Sequence, residues 1–161
     1  MPPYVYVENE MPTALPNRTT SGKGMQMWRE GPTASDFEHN KTLSHLIDKA
    51  VNYIHRSANK KPFYLYLPLP APHTPILPDD EFQGKSGLNP YGDFVMEVDY
   101  MVGRILETLK QNGIEENTIL VFTADNGCSP AAKIEELQEK GHYPSYIYRG
   151  YKADLYEGGH R

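Results

Sequence analysis

Ile119-Leu120-Val121-Phe122 runs directly into Thr123-Ala124-Asp125-Asn126-Gly127, and this junction restricts the fold more than any other stretch. Four consecutive apolar residues, two of them β-branched, predict a strand buried on both faces, as in a parallel sheet. The run stops at a carboxylate, a carboxamide and a glycine. Ligands of open α/β sheets gather beyond the C-terminal ends of the strands. A hard cation such as Ca²⁺ or Mg²⁺ takes oxygen donors of the kind that Asp125 and Asn126 carry. Asp-Asn-Gly is also ordinary turn chemistry, and Asn-Gly signals a hairpin. A hairpin needs a second strand at once, whereas Cys128-Ser129-Pro130-Ala131-Ala132-Lys133 reads as a loop entering a helix.

Upstream, a second strand is predicted at Phe63-Tyr64-Leu65-Tyr66-Leu67, and it enters a loop with five prolines between Pro68 and Pro78. That loop is extended and stiff and cannot continue a sheet. His73 lies between two of its prolines, on the kind of rigid backbone that a ligand-binding donor needs. Phe94, Val95, Val98, Val102, Ile105, Leu106 and Leu109 share one face of a helix predicted from Asp93 to Asn112, with Gly113 just past its end. Glu97 and Asp99 are expected on the surface of that helix. Strand, loop, helix and strand in this order form a βαβ unit. His73 and Asp125 then follow two parallel strands and face one crevice.

The remaining segments are read more coarsely. Tyr4–Val7 suggests a short strand, and the polar stretch from Glu8 to Pro32, with Trp28 its only large anchor, shows no clear periodicity. Ser35 and Glu38 have the spacing of a capping box, which predicts an amphipathic helix from about Asp36 to Ser57. His39, His45 and His55 are expected on or beside its polar side. A short helix follows at Ala131–Lys140. The tract from His142 to Lys152 holds five ring residues and two cations, a set that suits either stacking on sugars or bases or plain packing. Gly158-Gly159 suggests tight backbone turning or close approach to something.

Leu, Ile, Val and Phe supply only about a fifth of the 161 residues, near the lower limit for a globular chain, although twelve tyrosines add apolar surface. Length allows one domain. Sixteen basic against twenty-one acidic residues, with no basic run, argue against a nucleic-acid partner. No apolar run is long enough to span a membrane. One cysteine excludes an intrachain disulfide framework. Met1-Pro2-Pro3-Tyr4 does not read as a signal peptide.

Taken in order, Pro72-His73-Thr74-Pro75, the helix from Asp93, Thr123-Ala124-Asp125-Asn126-Gly127, and Lys152 followed by Glu157-Gly158-Gly159-His160-Arg161 resemble the formylglycine-dependent sulfatases. These belong to the arylsulfatase A type of the alkaline-phosphatase-like superfamily. The resemblance is good from about Lys61 to Arg161. It implies an α/β domain, a mainly parallel sheet flanked by helices, that cleaves sulfate monoesters of aryl or carbohydrate compounds. It implies Asp125 and Asn126 as ligands of one Ca²⁺, with Asp125 also helping to activate the nucleophile. It implies His73 beside the leaving oxygen and Lys152 on the sulfate. Arg161 takes a structural role in a Gly-Gly-x-Arg turn.

The family's nucleophile is a cysteine in Cys-x-Pro-x-Arg, converted to formylglycine. Cys128-Ser129-Pro130 imitates its start, but Ala132 stands where Arg belongs, and the position in the chain is wrong. The other calcium-binding aspartates, and the Lys and His that follow the nucleophile, are also missing. The expectation is a partial catalytic domain over residues 1–161, with 1–35 a variable loop-rich segment, 36–161 a βα portion, and both ends truncated. A phosphomonoesterase or phosphodiesterase of the same superfamily, or a non-catalytic glycan-binding remnant, are the other readings. Such enzymes are commonly exported or lysosomal. Oligomeric state is left open.

Overall fold

The computed structural model describes residues 1–160; Arg161 and the turn role expected for it lie outside the described residues. Four short strands, β1 (Val7–Glu8), β2 (Met11–Pro12), β3 (Pro16–Thr20) and β4 (Gly31–Ala34), precede four helices. These are α1 (Thr42–Ser57), α2 (Pro90–Gln111), α3 (Ile134–Glu139) and α4 (Glu157–His160), with single 3₁₀ turns between.

The core is the seam between α1 and α2. Leu43, Ile47, Ala50 and Ile54 recur at helical spacing on α1, and Phe94, Val98, Met101, Ile105 and Leu109 do so on α2; all are buried in one cluster. Full burial of each large side chain contributes roughly 1.5–3 kcal/mol, so this seam is the main favourable term. Asn89 caps α2, its side-chain oxygen accepting from the Tyr91 and Gly92 N–H groups, and Pro90 at the first helical position needs no partner.

α1 begins at Thr42 rather than Asp36, and the Ser35/Glu38 pair makes no cap. The carboxylate of Asp36 is taken by the Thr13 hydroxyl at 2.6 Å, and Glu38 is extended at φ −124°, ψ 124°.

The stretch without clear periodicity is largely a pair of antiparallel ribbons. β1 pairs with β2, and β3 pairs with β4, with a bulge between Pro16 and Arg18. The Thr20 and Thr33 hydroxyls meet across the second ribbon at 2.7 Å, and Trp28 Nε1 donates to Thr20 Oγ1 at 3.2 Å. Two of the three histidines expected on the solvated face are stacked instead. His39 lies against Trp28 with ring centroids 4.0 Å apart, and His45 against Tyr6 at 3.8 Å. Tyr4 and Phe37 meet the His39 ring edge-on.

The strands predicted at 63–67 and 119–122 join no ladder among the described residues. From Phe63 to Leu69 the odd residues pack on the helical cluster while Tyr64 and Tyr66 face outward, which is strand alternation. Ile119–Phe122, expected to be buried on both faces, is exposed instead: Ile119 is 94% and Val121 77% accessible. The helices cover one side of the first run only, and no second layer among the described residues reaches the other run.

Two outcomes follow for stability. Ile47→Ala removes a fully buried side chain from the seam and is expected to cost 2–5 kcal/mol in urea unfolding. For His39, burial first, then the Arg18 guanidinium and the terminal ammonium, lower the ring's pKa to about 4. The neutral ring therefore contributes stability that is complete above the unfolded value of 6.5 and is lost as pH falls toward 4. His39→Phe, which keeps an aromatic ring for the stack, is expected to lessen this acid loss in urea midpoints taken at pH 7 and pH 5.

Candidate active site

Asp125, Asn126 and Gly127 form a bend after the exposed apolar run. The bend is clamped from two sides by backbone bonds. Gly127 N–H donates to Gly159 O at 3.1 Å, and Lys152 N–H donates to Cys128 O at 2.9 Å. Three segments distant in sequence therefore meet here: the Asp-Asn-Gly bend, the Lys152 turn and the glycine pair of α4. The glycines are needed for the approach. A Cβ on Gly158 would lie 2.2 Å from Gly150 O, and one on Gly159 would lie 2.3 Å from Asp154 O. The close approach read from the paired glycines is thus made to the chain's own 149–154 turn.

Lys152 is half-buried and belongs to none of the ion pairs among the described residues. The tyrosine tract before it is open: Tyr143, Tyr146 and Ile147 are exposed rather than packed, although the Tyr151 hydroxyl accepts from Gln138. Arg149 lies over the Tyr156 ring at 3.8 Å.

His73 is exposed on the proline loop, and its Nδ1 lies 2.7 Å from Thr74 O. A carbonyl only accepts, so Nδ1 carries the proton and Nε2 is left for a ligand. His73 lines a small cleft with Pro72, Tyr91, Ser129 and Ala132. The structure thus brings His73 to the segment that follows the bend, while Asp125 itself lies outside the lining of this cleft.

Two buried groups of α2 hold these loops, and sequence reasoning missed both. Glu97, expected on the helix surface, is fully buried; its Oε2 accepts from Asp79 N–H at 2.8 Å at the end of the His73 loop. Asp79 in turn pairs with Lys41. Burial pushes the Glu97 carboxyl up to about 7, the Asp79 and Glu81 charges adding to the push and the Asp79 N–H and Lys41 opposing it. Asn89 donates from Nδ2 to Ala132 O at 2.9 Å, tying the segment after the bend to the start of α2. A carboxylate falling among the apolar positions of α2, three residues after Phe94 and four before Met101, was the visible signal for Glu97.

Cys128 is half-buried, and burial raises its thiol while the Tyr91 hydroxyl bonds its sulfur. A thiol of this kind is a weak nucleophile; the grounds for setting Cys128 aside as a formylglycine precursor remain those of the motif, in which Ala132 stands where Arg belongs. No other cysteine exists to fill that role. For a cation, Asp125 and Asn126 are right in kind. In number they supply two of the about six to eight oxygens that Ca²⁺ takes. No group of three His, Cys, Asp or Glu side chains among the described residues could hold a metal ion.

Comparison with known proteins gives the family. The Sulfatase family model matches residues 7–161, and the chain belongs to the sulfatases. An N-acetylgalactosamine-6-O-sulfatase of Bacteroides thetaiotaomicron is 34% identical over 137 residues, which are 83% of this chain and 27% of that protein. The human N-acetylgalactosamine-6-sulfatase is 36% identical over 115 residues, 71% of this chain and 21% of that protein. A solved structure from work on glycosaminoglycan metabolism by Bacteroides thetaiotaomicron superposes with a TM-score of 0.70 at 34% identity, covering 82% of this chain and 28% of that one. The fold class is accordingly the alkaline-phosphatase-like α/β fold of sulfatases, present in part. The chain spans about a quarter of the length of these relatives.

The Glu97 latch has a pH signature opposite to that of His39. A carboxyl raised from 4.5 to about 7 on folding contributes stability that is fully present below pH 4.5 and lost as pH rises through 7. Glu97→Gln keeps an acceptor for Asp79 N–H but does not titrate. Relative to the parent chain, its urea midpoint is expected to gain between pH 5 and pH 8.

Proposed function

We propose that these residues are part of the catalytic domain of a sulfuric ester hydrolase, with a sulfated carbohydrate as substrate. The pair of backbone bonds that gathers the Asp125–Asn126 bend and Lys152 carries the reading. Both relatives described above bear names that specify an N-acetylgalactosamine sulfate, which supports the carbohydrate class.

The chemistry is that of a sulfate monoester, whose non-bridging oxygens need positive charge and whose departing oxygen needs a partner. Lys152 supplies a cation with no ion-pair partner among the described residues. His73 presents Nε2, because Nδ1–H is committed to Thr74 O. Donation from Nε2 to the leaving oxygen takes the imidazolium form, in which both nitrogens carry protons. Asp125 and Asn126 would hold a calcium ion whose other ligands come from elsewhere, and when bound it adds charge facing the sulfate. The Asp125 carboxylate can also take a proton from the attacking group.

The exposed run at Ile119–Phe122 and the outward Tyr64 and Tyr66 suit strands that are covered within a larger domain. The purified 161 residues are therefore expected to show no turnover of an aryl sulfate, even with added Ca²⁺. The decisive experiment reads the coding DNA upstream of Met1 in the same frame and assays the product. An open frame with an aspartate pair and Cys-x-Pro-x-Arg, giving a protein that releases sulfate from N-acetylgalactosamine 6-sulfate and loses at least a hundredfold in rate in Lys152→Ala, is the expected result. A stop codon just before Met1, or full activity in Lys152→Ala, would overturn the reading.

A further inference from the structure

The first turn of α2 is where the two halves of the candidate site are tied together. On one side stands the proline loop with His73, held at its far end by Glu97 through the Asp79 N–H. On the other stands the segment from Cys128 to Ala132, which continues the Asp125–Asn126 bend and accepts the Lys152 N–H at Cys128 O. Between them lies Asn89, 8% exposed. Its side-chain oxygen accepts from Tyr91 N–H at 3.0 Å and Gly92 N–H at 3.3 Å. Its side-chain nitrogen donates to Ala132 O at 2.9 Å. Both ends of the carboxamide are thereby used, the oxygen twice and the nitrogen once, on two elements that are 43 residues apart.

We propose that Asn89 is a positioning residue of the candidate sulfatase site. It holds the bend that bears Asp125 and Asn126, with Lys152 bonded behind it, in register with His73 by capping α2 through its oxygen and clasping Ala132 through its nitrogen. A helix cap alone does not call for asparagine, because serine and aspartate cap equally well. What they lack is a nitrogen donor on the far side of the cap. The assignment of the site rests on the function proposed above; the clasp does not, and the test separates them.

The test uses the 161-residue chain, with Asn89→Ser and Asn89→Asp. Both keep an oxygen for the Tyr91 and Gly92 N–H groups. Serine lacks the nitrogen donor, and an aspartate carboxylate donates nothing and stands against Glu136. Amide hydrogen exchange is read separately at residues 91–96 and 130–140, with the ring resonances of His73 followed by NMR. In Asn89→Ser, protection at 130–140 is expected to fall about tenfold, the equivalent of one hydrogen bond. Protection at 91–96 is expected to hold, and the His73 resonances to shift.

Asn89→Asp adds a pH profile, judged against the parent chain at each pH. Its carboxylate opens the 130–140 segment, and on acidification the carboxylic acid regains a donor for Ala132 O, so protection returns. The charges facing this position are Glu136, its partner Lys133, and Lys140, which bonds the Leu88 carbonyl. Equal loss at both segments would make Asn89 a helix cap and nothing more. No loss at 130–140 in either variant would show that the clasp is idle. Either result overturns the proposal. A clasp that behaves as expected here, with no sulfate release by the longer product of an open upstream frame, would leave the clasp intact and remove the function.

Discussion

The seam between α1 and α2 is the interaction on which the remaining structure depends. The strands are short and pair only in twos, and neither ribbon alone could bury enough apolar surface to be stable. The helices meet along Leu43, Ile47, Ala50 and Ile54 facing Phe94, Val98, Met101, Ile105 and Leu109. Everything else is hung on that pair. The alternating face of Phe63, Leu65, Leu67 and Leu69 lies on it, and Ile76 of the proline loop is buried within it. An aromatic cluster around His39 joins the ribbons to the approach to α1.

α2 also acts as the ruler of the candidate site. Its first turn holds one loop through Asn89, its second turn holds another through Glu97, and Asp93 between them binds a third. Burial alone would raise the Asp93 carboxyl, but bonds from Ser86 and Gly84 hold it below its ordinary value. The neighbouring Glu97, with one N–H donor and no partner for Oε1, goes the other way. Two carboxylates a single turn apart thus shift in opposite directions, both desolvated by burial but differing in the number of donors they meet. The ionised one secures the loop at Gly84–Ser86 through two backbone bonds. The raised one secures the loop that leads back to His73.

Membership of the sulfatases agrees with the open edges of these residues. Four apolar residues beyond α2 stand open to solvent, and the runs at 63–67 and 119–122 leave their backbone groups unpaired among the described residues. Such edges invite pairing. The chain spans only about a quarter of the length of its relatives. The loops of the candidate site are nevertheless held by bonds internal to these residues. Site geometry and sheet completion are in this sense separable parts of the fold.

Much was legible in the residues alone. The positions of α1 and α2 follow from apolar periodicity, and the end of α2 at Gly113 follows from the backbone freedom that glycine has there. The stiff setting of His73 and the bend at Asp125–Asn126 follow from local chemistry, since proline and Asx residues act on their immediate neighbours. Tertiary structure decided the rest. It bonded Asp36 to Thr13, folded a polar stretch into ribbons across Thr20 and Thr33, and turned Glu97 inward to meet the Asp79 N–H. It left Ile119–Phe122 bare because an apolar run states that burial is favourable, not that a covering layer exists. It also set the Asp125–Asn126 bend beside Lys152 and Gly159. Each of these outcomes rests on a bond or packing surface between residues far apart in the chain, which local sequence cannot encode by itself.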